Sequence, residues 1–149
     1  MFSTAIVNAV DLVKLEQLYA ENKDTIDANS KSDFDTIKRM FVHACENKLT
    51  AEITKDGEVA GYTTGIVKNK AYHCTNVIVG DNKAFILSGD SFCKVLRDLD
   101  ITAIKGHVKT NTPMYDFLLA SFGREDLFNA EVGLPIEGHD GIIITLNLL

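Results

Sequence analysis

The sequence lacks a long apolar run. Its longest, from Gly141 to Leu149, falls far short of the roughly 20 residues that a membrane-spanning helix needs. It also lacks a basic segment followed by a long apolar one within Met1 to Val10, so no secretory leader is expected. There is no excess of basic residues: 15 Lys and Arg against 21 Asp and Glu leave a net charge of −6. That is the wrong sign for a protein that binds nucleic acid by releasing counterions from its phosphates. A negative charge serves solubility, and it leaves open a binder of basic partners. Cys45, Cys74 and Cys93 form neither a metal-binding spacing nor an even disulfide set. All three sit in apolar stretches, where a small buried hydrophobe is the expected role. The default setting is therefore a reducing cytoplasm, with no metal and no membrane. No internal repeat, linker or low-complexity stretch interrupts the chain.

What is present suits one α/β domain over residues 1–149. Apolar residues make up 46% and charged residues 24% of the chain, enough apolar material for one core in a chain of this length. Ser3 to Val7 reads as a strand. Leu12, Leu15, Leu18 and Tyr19 then share a helical face, with Asn8 or Asp11 as the cap. Asp24 to Lys31 is polar and reads as a loop. A second helix starts at Ser32 or Asp33, with Phe34, Ile37, Met40, Phe41, Ala44 and Cys45 at a 3.6-residue period.

Strands follow. Thr50 to Lys55 alternates, Asp56-Gly57 is a tight-turn signal, and Glu58 to Lys68 extends again. Lys68-Asn69-Lys70 turns the chain into Ala71 to Val79. Gly61 and Gly65 inside the middle strand imply bulges or a close backbone approach. Gly80 to Leu87 carries no clear pattern. A helix is expected over Ser88 to Leu99, with Phe92, Val95, Leu96 and Leu99 inward, and then a strand over Ile101 to Val108. The helix between these two strands implies a right-handed crossover, so they should be parallel neighbours. Pro113 suits the first turn of a further helix, capped by Asn111 or Thr112 and stopped at Gly123. Extended segments around Phe128 to Ile136 and Gly141 to Leu148, joined by a turn at His139-Asp140-Gly141, end the chain.

Strand, two helices, three-strand meander, helix, strand, helix and two strands is an order that resembles the Gcn5-related N-acetyltransferase (GNAT) superfamily along nearly the whole chain. The stretch from His107 to Gly123 is the most specific match: a strand running into Asn111, an amphipathic helix, and the Phe122-Gly123 stop. The resemblance implies an α/β fold with a mixed, mostly antiparallel sheet of six to seven strands, about four helices on both faces, and strands four and five parallel and splayed. It implies acetyl-CoA as the acyl donor and an amine as the acceptor. Backbone groups of Val77, Ile78 and Val79 would pair with the pantetheine arm as an added strand. Ser88, Gly89, Asp90 and Ser91, at a helix start, would face the pyrophosphate. Asn111 would hold the strand-to-helix junction.

The chain departs from the family pattern at two places. Gly80 to Gly89 lacks the (Q/R)xxGx(G/A) loop, and Asp90 puts a negative charge where a phosphate should lie. Ser88-Gly89-Asp90 also reads simply as a helix cap with an acidic first turn. The family's tyrosine, which protonates the departing thiolate, would fall at Leu118; Tyr115 is the nearby substitute, or else a packing residue. His73 stands where the family often places a general base, and is equally an ordinary strand histidine. His43, His107 and His139 are expected at the surface or in turns.

The chain's acidic character, the Leu87-Ser88-Gly89 helix start and the missing loop are similar to GNAT-like proteins of tailed bacteriophages, including virion-associated ones. Two functions therefore compete. One is an N-acyltransferase. The other is a non-catalytic GNAT-fold binding or virion protein with a decayed acetyl-CoA site and a protein partner. An acidic inhibitor of a host nucleic-acid-binding protein is a more distant third. The sequence leaves a homodimer open.

Overall fold

A computed structural model describes residues 2–30, 32–79, 89–109, 112, 128–135 and 141–149. The helix expected from Pro113, the unpatterned stretch from Gly80 to Leu87 and the turn at His139-Asp140 lie outside the described residues.

Strands β1 (Phe2–Val7), β2 (Lys48–Lys55), β3 (Glu58–Lys68), β4 (Ala71–Val79), β5 (Ala103–Lys109), β6 (Phe128–Pro135) and β7 (Gly141–Leu148) form one sheet. Its order is β1-β2-β3-β4-β5-β7-β6. Every neighbouring pair is antiparallel except β4 and β5, which run parallel. The two meander turns are built as their sequences ask. Asp56 and Gly57 at φ 52° and 85°, and Asn69 and Lys70 at 53° and 61°, hold the left-handed backbone that a two-residue hairpin turn requires.

Helices α1 (Leu12–Glu21), α2 (Lys23–Asn29) and α3 (Phe34–Val42) cover one face. Leu15, Leu18, Ile26, Ile37 and Phe41 bury against Tyr62 and Ile78 of the sheet. Asp11 caps α1 by accepting from the Val13 and Lys14 amides, and Asp33 caps α3 by accepting from the Thr36 amide. Helix α4 (Gly89–Asp98) covers the other face, where Phe92 and Leu96 bury with Ala51, Tyr72 and Ile101. The ring of Phe92 meets Tyr72 edge-on, with centroids 5.7 Å apart. Helix α4 ends in a left-handed Asp100, with the Ile101 amide donating to the Leu96 carbonyl and the Asp100 amide to Arg97. This is the Schellman arrangement, closed by the apolar contact that usually accompanies it.

Several expectations need correction. Asp24 to Lys31 is not a loop: most of it belongs to α2, where, among the described side chains, Ile26 alone is buried in a polar sequence. Tertiary packing of one residue holds a helix that has no amphipathic pattern to announce it. Helix α3 stops at Val42, so Ala44 and Cys45 are exposed outside it. The stop is made by Lys48, whose ammonium donates to the carbonyls of Phe41 and His43, both at 2.6 Å. A cation at a helix C-terminus satisfies its free carbonyls. Leu12 and Leu99 are 43% and 49% exposed rather than inward. Of the cysteines only Cys93 is fully buried.

Candidate functional site

Strands β4 and β5 pair at only four positions, Ala71↔Ala103, Tyr72↔Ile104, His73↔Lys105 and Cys74↔Gly106. Both strands continue beyond this point, but apart. On the far side β4 still pairs with β3 up to Val79, and β5 pairs with β7 up to Lys109. The seam opens at Thr75. There the β3–β4 register shifts, from Gly65↔Cys74 to Thr64↔Asn76, leaving Thr75 as an extra residue. A bulge of this kind bends the strand that carries it. The Thr75 hydroxyl donates to the Thr64 carbonyl at 3.0 Å.

The bulge also reverses the faces. Side chains alternate along a strand, so Tyr72 and Ile78, six residues apart, should share one. Instead Tyr72 buries with α4, and Ile78 buries with α1 and α3. Gly65 makes the close approach possible. A Cβ there would collide with the His73 carbonyl oxygen and lie 2.9 Å from the Tyr72 ring. At Gly61 it would lie 2.8 Å from the Ile78 carbonyl oxygen.

A cavity of about 830 Å³ occupies the opened seam. Cys74, Thr75, Asn76, Val77 and Val79 line it from β4, and Ile104, Gly106, His107 and Val108 from β5. Its α2–α3 side contributes Ser30, Ser32, Thr36, Arg39, Met40 and His43, with Lys48 at the start of β2. Gly106 keeps the gap clear: a Cβ there would meet nothing within 4 Å. Among the described residues, no carboxylate lines the cavity, and no group of three or more His, Cys, Asp or Glu could hold a metal ion.

The Cys74 thiol is enclosed although its residue keeps some exposed surface. Burial pushes its pKa up to about 11, against the weaker opposing pull of its hydrogen bond with Thr63. Near neutral pH it is a thiol, without the thiolate that nucleophilic attack requires. The phenols beside the site are structural. Tyr72 bonds Thr63, and burial raises its pKa strongly. Tyr62 donates to Glu52 and accepts from the Asp11 amide, and burial pushes its pKa up to about 12.

The sequence-derived residues fall as follows. Val77, Ile78 and Val79 lie on β4 past the bulge, still bonded to β3, with their β5-side edge facing the gap. His73 stands before the bulge, half-buried in the paired part of the seam, and is not among the cavity's lining residues. Gly89, Asp90 and Ser91 form the first turn of α4. The Ser91 hydroxyl bonds Thr4 of β1 at 2.8 Å. Ser88, Asn111 and Tyr115 lie outside the described residues. His43 and His107 are exposed, as surface residues should be, yet both border the cavity. Sequence reasoning missed Thr75, Gly106, Arg39 and Lys48. Only Gly65, a glycine inside a strand, hinted at the bulge beside them.

No protein-family model matches the chain. No curated protein sequence matches it significantly. Solved structures do. The ribosomal-protein-S18-alanine N-acetyltransferase of Escherichia coli is similar over 99% of this chain and 94% of its own, with a TM-score of 0.60 at 14% identity. The Campylobacter jejuni N-acetyltransferase PseH, solved with acetyl coenzyme A, is similar over 99% of both chains, with a TM-score of 0.60 at 12% identity. A Bacillus subtilis acetyltransferase, solved with CoA, is similar over 100% of both, with a TM-score of 0.59 at 12% identity. With its seven-stranded mixed sheet, its parallel β4–β5 pair opening at Thr75 and its likeness to these enzymes, the chain has the GNAT acyltransferase fold.

Proposed function

We propose that the chain binds acetyl-CoA in the gap between β4 and β5 and transfers its acetyl group to an amine. The observation that carries this reading is the end of β4–β5 pairing at Cys74↔Gly106, beside a cavity of about 830 Å³. Past that pair, the edge of β4 from Thr75 to Val79 borders the gap. Amides of a pantetheine arm can pair with such an edge as an added strand. The amine nitrogen attacks the thioester carbonyl carbon and the carbon–sulfur bond breaks. The thiolate then takes one proton, and the new amide nitrogen gives one up. Holding both reactants in the gap supplies most of the advantage, by making the encounter intramolecular. A protonated Cys74 favours direct transfer over an acyl-cysteine intermediate. His73, one residue before the β4 lining of the cavity begins at Cys74, is the proposed base and Tyr115 the proposed acid. Asn111 is the proposed junction residue, and the α4 start at Ser88, Gly89, Asp90 and Ser91 the proposed pyrophosphate contact.

One observation favours a second reading, a GNAT-fold binding protein that does not catalyse transfer. Asp90 stands in the first turn of α4 and the Ser91 hydroxyl is bonded to β1. This is a poor setting for a pyrophosphate, because like charges repel. Melting with CoA and acetyl-CoA separates the two readings. A ligand at a hundred times its dissociation constant stabilises by about 2.7 kcal/mol, a rise of a few degrees. Under the first reading the wild type shows this rise, Asp90→Asn enlarges it, and added salt shrinks the enlargement. Gly106→Val fills the gap and abolishes the rise while the protein stays folded. No rise in any variant leaves the second reading.

A further inference from the structure

The charge lining the cavity is opposite to that of the chain. The protein carries 21 acidic and 15 basic residues, yet the described residues of the cavity wall include Arg39 and Lys48 and no carboxylate. Both cations lie on the α3 side, away from the α4 start. Lys48 is partly committed, since its ammonium holds the carbonyls of Phe41 and His43. It contributes positive potential more than a free contact. Arg39 is different. It is exposed in the last turn of α3, and among the described residues its Nε has only a long bond, 3.4 Å, to the Asp35 carbonyl. Asp33 lies near enough for Arg39 to help lower its pKa, but the main cause is its bond to the Thr36 amide. Neither Asp33 nor Asp35 reaches the cavity wall. Beside Arg39, Thr36 and Ser32 add hydroxyl groups to the same wall.

A guanidinium presents a planar fork of donors that matches a carboxylate. A pocket meant for a polyamine would carry the reverse charge. We infer that the cavity takes an acceptor amine that also bears a carboxylate, of amino-acid size, with Arg39 binding the carboxylate. This assignment rests on the proposed acyl-transfer reading for the role of the amine, but its charge logic concerns binding alone. Near neutral pH such a ligand is a zwitterion without net charge, so the chain's overall charge does not steer it, and the local cations act on its carboxylate where it docks.

The test compares the standard α-amino acids with their α-amides, ligands that differ in the carboxylate. Binding to the wild type, with and without saturating CoA, is read by calorimetry and melting temperature. At least one acid is expected to bind about tenfold or more tightly than its amide. That is about 1.4 kcal/mol. Arg39→Gln should abolish the preference and Arg39→Lys should keep part of it. Lys38→Gln removes the same charge from the same helix, at a residue paired with Glu16 and outside the cavity wall. It should leave the preference intact. The preference should weaken with salt, since Arg39 is exposed. Amides that bind as well as acids, or a preference that survives Arg39→Gln, would overturn the assignment. Binding of acids without any response to CoA would keep it and overturn the transfer reading instead.

Discussion

At one end of the β4–β5 seam the two strands are fastened from several directions; at the other they part around a cavity. The fastened end has four paired positions, and the Thr102 amide donates to the Lys70 carbonyl at 2.7 Å. Lys70 and Asp100, both left-handed, form an ion pair across it at 3.1 Å. Beneath lies Tyr72, fully buried against Phe92 and bonded to Thr63. The open end starts one residue later, at Thr75, and has Gly106 where a side chain could have filled the space. The same pair of strands thus holds the fold together at one end and gives way at the other. The difference comes from one extra residue rather than from a change in composition.

The largest expected effect comes from attacking the fastened end. Tyr72→Ala removes a fully buried ring and should cost about 3–5 kcal/mol, read by denaturant unfolding. A cost below about 1 kcal/mol would mean that the seam is held elsewhere.

Cys74, the last paired residue before the opening, provides a second test. Its folded pKa, about 11, lies above its ordinary value of 9.0. The unfolded chain therefore gives up this proton first as pH rises. The contribution to stability is complete below pH 9 and is lost between about 9 and 11. Two units correspond to roughly 2–3 kcal/mol. Unfolding of the wild type and Cys74→Ala from pH 8 to 11 isolates this loss from that of the tyrosines. Parallel curves would show that the thiol is open to solvent.

Gly65 lets β3 approach the bulge. Gly65→Ala drives a Cβ into the His73 carbonyl and the Tyr72 ring, and should cost about 1–3 kcal/mol. A stable Gly65→Ala variant with unchanged CoA response would show that the bulge does not depend on this contact.

The smallest effect is a gain. Lys70 holds φ 61° with a full side chain, which costs about 1–2 kcal/mol. Lys70→Gly relieves it, at an entropic cost of about 0.5–1 kcal/mol. The exposed pair with Asp100 contributes little. The net rise in stability should be about 0.5 kcal/mol, seen as a small upward shift in melting temperature.

Much of this protein was settled by local sequence. Asp56-Gly57 fixed one hairpin turn, because few residue pairs take left-handed backbone so readily, and Asn69 marked a second, in which Lys70 holds that backbone at a cost. Two helix starts were legible to within a few residues, at Asn8 or Asp11 and at Ser32 or Asp33; the caps are Asp11 and Asp33, because a carboxylate just before a helix satisfies amides that have no partner within it. The helix between β4 and β5 fixed their parallel sense through the handedness of the crossover. These are short-range effects, written in neighbouring residues. Helix α2 was invisible, since one buried residue among its described side chains, Ile26, leaves no period. The resemblance implied that β4 and β5 splay, but not that they part at Thr75: a threonine in a strand is ordinary, and the bulge exists only relative to the register of β3. The cationic wall joins Arg39 from a helix to Gly106 and Val108 from a distant strand. No spacing along the chain encodes that meeting. Local propensity and chirality determined the elements and their order, whereas pairing between distant strands decided where the sheet parts and which charges face the gap.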